Sequence, residues 1–290
     1  MRAILPIVLV FLAPVLVVAG VYAFGLSIPV PQLGRDYVLR FVLPDAERPL
    51  DLPEVLGPED ASRPLVVIDA GHGGPDGGAS QAGIMEKRIA LGLALALRDK
   101  LLEQGGVRVA LTRDDDTFVV LGERAVIARR LGADLFISIH ADSAANEGAG
   151  GATIYTLDDD ASDAVAARFA ARENAAARVN GVALEDTDPD VSAILVDLSQ
   201  RRVEGESREF ADLIIREGEG RIAFNPAPYR RADLAVLKNV DIPAVLFEAG
   251  FITNAEDARR LTSPEARLAF AEALGRAIRI YFARELAGEG

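Results

Sequence analysis

The chain has 290 residues, half of them hydrophobic, with 31 basic against 44 acidic residues and a formal net charge of −13. That length holds one large domain or two small ones. The acidic balance argues against nucleic acid or anionic lipid as a broad-surface partner. The absence of cysteine excludes disulfides and leaves any metal to histidine and carboxylate ligands.

Ala3 to Phe24 carries no charge and is rich in Leu, Val, Ala and Phe. As a helix rising about 1.5 Å per residue it could span a bilayer core of roughly 30 Å. Val21-Tyr22-Ala23 also offers a small-residue cleavage site. Residues 1–26 are therefore expected to form a hydrophobic helix that acts as a signal anchor or a signal peptide, with a buried soluble helix as the plainer alternative. Either export reading sends the remainder out of the cytoplasm. Residues 27–63 are acidic and hold six prolines, from Pro29 to Pro58. They read as a linker able to drape over the domain that follows.

From Leu65 onward, strand and helix patterns alternate. The spacing predicts a strand over Leu65–Ala70, then glycines and Pro75. A helix follows from about Glu86 to Glu103, with Ile89, Leu93, Leu97 and Leu101 on one face and Gly105-Gly106 at its end. A strand at Val107–Leu111 precedes a helix at about Leu121–Leu131. Further strands are expected at Leu135–Ile139 and Ala152–Leu157. Helices are expected at about Ser162–Val179, Asp190–Gln200 and Ser207–Arg216. The run Ile242–Phe247 reads as a last strand, ending in Glu248. Thr262-Ser263-Pro264-Glu265 then opens a terminal helix reaching about Ala287, with an N-cap and a proline in the first turn. This alternation implies an α/β fold: a mostly parallel twisted sheet covered by helices on both faces.

The two histidines of the chain both follow hydrophobic runs. His72 comes after Leu65–Gly71 and His140 after Leu135–Ile139. Ligands of open α/β sheets gather at the C-terminal ends of strands. A phosphate-binding loop is the rival for the glycine-rich turn at His72, but the lysine and Ser/Thr of such a loop are missing. A hydrogen-bonded structural histidine is the plain alternative. Glu86 opens a helix, where a carboxylate favours the helix dipole in any case. It also starts the apolar stripe, and an inward carboxylate needs a partner. Two histidines and one glutamate make a zinc site with one open position, the catalytic arrangement. Glu248, at a third strand end, is the candidate general base and acid; a glutamate capping the next helix is its plainer reading.

Val67–Gly74, Glu86-Lys87, Thr112-Arg113, Ser138–Asp142, and Val236-Leu237-Lys238 through Ile242–Asn254 together resemble the zinc-dependent N-acetylmuramoyl-L-alanine amidases. The similarity covers roughly Leu65 to Phe282. It implies one zinc ion on His72, Glu86 and His140, with Glu248 as the catalytic carboxylate. The bond cut would be the amide between N-acetylmuramic acid and the L-alanine of the peptidoglycan stem peptide. The catalytic domain would span 64–287. A segment at about 158–206 looks like the insertion of division-associated Gram-negative amidases, where a helix blocks the site until an activator protein moves it away. On that resemblance Glu173, in the arc of Val165, Ala166 and Phe169, would be an inhibitory fourth ligand; an ordinary exposed glutamate is the alternative. A periplasmic location follows, secreted or tethered to the inner membrane. A zinc peptidase or deacetylase on another substrate is the nearest alternative, and an inert cell-wall binding module the next.

Overall fold

The computed structural model describes residues 51–144, 148–176, 193–238 and 241–288. The expected helix at 1–26, residues 27–50 of the linker, and residues 177–192 of the insertion lie outside them. No helix among the described residues is long and apolar enough to cross a membrane.

A six-stranded sheet organises the domain. Its strands are β1 (Leu65–Ala70), β4 (Arg108–Leu111), β5 (Leu135–His140), β6 (Ala152–Leu157), β7 (Phe224–Ala232) and β8 (Ala244–Glu248), in the spatial order β4-β1-β5-β8-β6-β7. β4, β1, β5 and β8 run parallel, β6 is antiparallel to β8, and β7 runs parallel to β6. The sheet is thus mixed but mostly parallel. A two-stranded hairpin, β2 (Ser80–Gln81) with β3 (Ile84–Met85), stands apart from it.

Successive side chains of a strand point to opposite faces, and here both faces are dry. Val66, Ile68 and Ala70 enter one core with Leu93 and Leu97 of helix α1 (Glu86–Gln104). That core also holds Phe210 of α4 (Ala193–Gly218) and Leu274 of α6 (Pro264–Ala287). Leu65 and Val67 enter the other with Ala128 of α2 (Leu121–Leu131) and Phe169 of α3 (Ala164–Ala176). A short α5 (Ala255–Leu261) is capped by Asn254, whose side chain accepts from the Glu256 and Asp257 amides.

Two features differ from the sequence reading. The helices expected at Asp190–Gln200 and Ser207–Arg216 are one, α4. Its polar middle holds Gly205, but an Arg202–Glu206 pair at 2.6 Å spans that glycine and supports the helix one turn apart. No strand is predicted from the sequence where β7 lies, a stretch that holds Pro226 and Pro228. Proline is tolerated at sheet edges and bulges, and β7 is the edge strand, with its register shift against β6 at those positions. At the opposite edge, Leu56 exchanges two backbone hydrogen bonds with Val109 of β4, at 2.8 and 2.9 Å. The end of the proline-rich segment therefore covers an edge that would otherwise be open.

Candidate metal centre

The parallel strands deliver their C-terminal residues to one side of the sheet. β1 is followed by Gly71-His72, while β5 ends in His140 and β8 in Glu248, which is the register partner of His140. α1 enters from the hairpin side with Glu86 as its first residue. α3 lays Ala166, Phe169, Ala170 and Glu173 inward, the i, i+3, i+4, i+7 stripe of a packed helix. Val165, expected in the same arc, is 45% exposed and faces out.

His72, Glu86, His140 and Glu173 converge, with one ligand atom from each lying within 4.8 Å of all the others. Glu86 Oε1 is 3.0 Å from His72 Nε2 and 3.0 Å from His140 Nδ1. Glu173 Oε2 is 3.2 Å from His140 Nδ1 and 3.8 Å from His72 Nε2. All four residues are buried. Glu86 is fixed by two amides: Ala141 N donates to Oε1 at 3.0 Å and Ala79 N to Oε2 at 2.9 Å. Despite its proximity to Glu86, His72 Nε2 makes no hydrogen bond of acceptable geometry. It points at the shared centre rather than at an oxygen.

The electrostatics call for positive charge at that centre. Burial works against a charged His72 ring, yet Asp76 and Glu86 hold its pKa up at about 9. Burial likewise opposes charge on His140, and Glu173 and Glu86 raise it well above the ordinary range. Glu86 is pushed up by burial but carried well below its usual value by the two rings. Two histidines and two carboxylates, dry and facing one another, form a donor set that fits a divalent metal.

Glu248 is fully buried. Its Oε1 accepts from Asp142 N at 2.8 Å, and its Oε2 has no partner. Burial, then the nearby Glu86 charge, raises its pKa well above the usual value.

The backbone around these four side chains is shaped by glycine and clamped by arginine. A Cβ at Gly71 would lie 2.6 Å from the His140 ring; one at Gly78 would lie 2.6 Å from Glu86 Oε2 and 2.7 Å from the His72 ring. His72 itself has φ 58°, a left-handed conformation costing about 1–3 kcal/mol for a non-glycine residue. Two buried arginines hold it there. Arg124 donates to His72 O at 2.9 Å and Ala70 O at 2.8 Å, and Arg113 to Gly71 O at 2.6 Å. Asp69, fully buried, anchors Arg124 at 2.7 Å and accepts from Thr112 Oγ1 at 2.6 Å and Ser138 Oγ at 2.7 Å. Arg124 and Asp76 carry no periodic signal and were not read from sequence. Arg113 and Asp142 lay within the quoted motifs, but only the fold shows what they touch.

The family model described as N-acetylmuramoyl-L-alanine amidase matches residues 66–279. The chain belongs to this family. It is 38% identical over 223 residues to the N-acetylmuramoyl-L-alanine amidase AmiA of Salmonella typhimurium, covering 76% of this chain and 77% of the relative. It is 37% identical over 220 residues to AmiA of Escherichia coli, covering 75% and 76%. Among solved structures, amidase AmiC2 of Nostoc punctiforme aligns with a TM-score of 0.54 at 31% identity, over 76% of this chain and 98% of that one. The chain is accordingly a peptidoglycan amidase.

Proposed function

We propose that His72, Glu86 and His140 hold a single zinc ion, that Glu248 moves the protons of amide hydrolysis, and that α3 closes the site through Glu173. The observation that carries this reading is the convergence of the four ligand atoms. Tetrahedral zinc, with bonds of about 2.0–2.1 Å, sets its donors roughly 3.3 Å apart, and the four donor distances given above run from 3.0 to 3.8 Å. When bound, zinc supplies Lewis acidity, polarising the scissile carbonyl and acidifying water. Glu248 Oε2 takes the proton of the attacking water and passes it to the alanine nitrogen as the C–N bond breaks. The products are the muramic carboxylate and a stem peptide with a free amine. The strand-end position of Glu248 and its unpartnered Oε2 support that role.

Four protein ligands leave no position for water or substrate, the arrangement of a closed site. In this reading α3 belongs to a regulatory insertion at about 158–206, and the described structure is the resting form. Contacts beyond Glu173 hold the helix down. Arg172 pairs with Asp142. Asn174 donates to Asp233 O at 2.8 Å and accepts from Ala235 N at 2.9 Å, and Phe169 stacks on Tyr155 at 4.4 Å. A protein activator that takes up α3 would open the centre. The apolar segment at 1–26 would place the domain in the periplasm, released or tethered.

Purified sacculi incubated with the full chain, with and without a zinc chelator, test the reading. Mass spectrometry should find stem peptides beginning with L-alanine, released only in the metal-loaded sample. New sugar ends, or release that survives complete chelation, would refute it.

A further inference from the structure

We propose that Asp76 is a positioning residue for the metal centre. Its carboxylate fixes the His72 imidazole in the form protonated at Nδ1, so that Nε2 is presented bare to the metal. The inference rests on the reading of His72 as a ligand.

Asp76 Oδ2 lies 2.9 Å from His72 Nδ1, the ring nitrogen facing away from the cluster. The carboxylate is itself held, because Oδ1 accepts from Gly78 N at 3.0 Å. Its backbone is held too. Gly73 N donates to Asp76 O at 2.9 Å and Asp76 N donates to Gly73 O at 3.1 Å. The turn Gly73-Gly74-Pro75-Asp76 thus doubles back and brings the carboxylate under the ring that precedes it by four residues. Asp76 is not one of the four converging groups. It acts through His72.

The physical reason is tautomer choice. A neutral imidazole has one bare nitrogen and one N–H. An acceptor on Nδ1 puts the proton there, fixes the ring orientation and raises the basicity of Nε2. The second histidine makes the opposite choice, since it is Nδ1 of His140 that faces Glu86 and Glu173. The two rings lie edge to face at 4.9 Å, so each must be oriented independently. His72, on a strained left-handed residue at a loop, has the greater need of a side-chain anchor.

Because the chain has two histidines, their ring nitrogens can be followed by nitrogen-15 NMR in the zinc-loaded full chain. The wild type should show two neutral rings of opposite tautomer. Asp76→Ala should lose the protected Nδ1 proton. It should also weaken zinc about 10- to 100-fold in competition with a chelator. Asp76→Asn keeps an acceptor oxygen and should recover most of the affinity. The proposal is overturned if Asp76→Ala binds zinc within about two-fold of wild type. It is equally overturned if both variants lose affinity together with metal-free stability, which would mark a turn support. His72→Ala is the control. If that variant keeps its zinc, the ligand assignment itself fails, and the positioning role falls with it.

Discussion

Glu173 Oε2 sits 3.2 Å from His140 Nδ1, joining α3 to the end of β5. The next residue back makes a second link, for Arg172 pairs with Asp142, two residues beyond that histidine. Asp142 is buried and in turn donates its amide to Glu248. One turn of α3 therefore reaches the proposed metal ligands directly and, through Asp142, the carboxylate proposed to move protons.

Arg172→Ala should loosen this closure without touching the metal. Arg172 is 45% exposed along its side chain, so solvent screening limits the pair to about 1 kcal/mol, or roughly a five-fold shift toward the open helix. Basal release of dye from labelled sacculi should rise by about that factor, with zinc content unchanged. A fall in activity would mean that Arg172 serves the open enzyme instead.

Gly71→Ala probes how tightly the ligands are packed. The added methyl would meet the His140 ring at 2.6 Å, and dry interiors do not yield by that much without moving a neighbour. The variant should fold, with a helical circular dichroism spectrum like the wild type. Its zinc affinity should drop at least about ten-fold, the scale on which disturbed ligand orientation acts. Unchanged affinity would show that the ring has room the structure does not display.

Asp69 should set part of the acid limb of stability. Burial alone would raise its carboxyl, but Arg124, Thr112 and Ser138 outweigh that and hold it below the ordinary range. A depressed carboxylate contributes stability that is present above its unfolded pKa of about 3.9 and lost as pH falls through the lower folded value. Asp69→Asn leaves Arg124 buried without its countercharge and should cost about 3–5 kcal/mol at pH 7. Urea unfolding of both proteins at pH 7 and near pH 3 should show that gap narrowing in acid. A gap independent of pH would place the loss in packing rather than charge.

The sequence made the sheet legible where residues repeat their surroundings. Leu65–Ala70 and Leu135–Ile139 are apolar apart from Asp69 and Ser138, because both faces of those strands are covered. His72, His140 and Glu248 were visible because each ends such a run. Glu86 was visible from its place on the α1 stripe. Asp76 and Arg124 were hidden because what matters is what they touch across a turn or across 52 residues, and no local period records that. β7 was hidden by its own prolines, whose tolerance depends on being at an edge, a property of the assembled sheet. Continuity through Gly205 was hidden for the same kind of reason. A glycine costs a helix interior only about 1 kcal/mol, which packing of Phe210 and Ile214 into the core overrides.

The most direct test of a zinc amidase closed by its own helix is Glu173→Ala, assayed on purified sacculi beside the wild type, with the zinc content of each measured. Removing the fourth ligand should leave about one zinc per chain and raise basal hydrolysis at least about ten-fold, since a position then opens for water and substrate. Normal zinc content with unchanged basal hydrolysis would contradict the account.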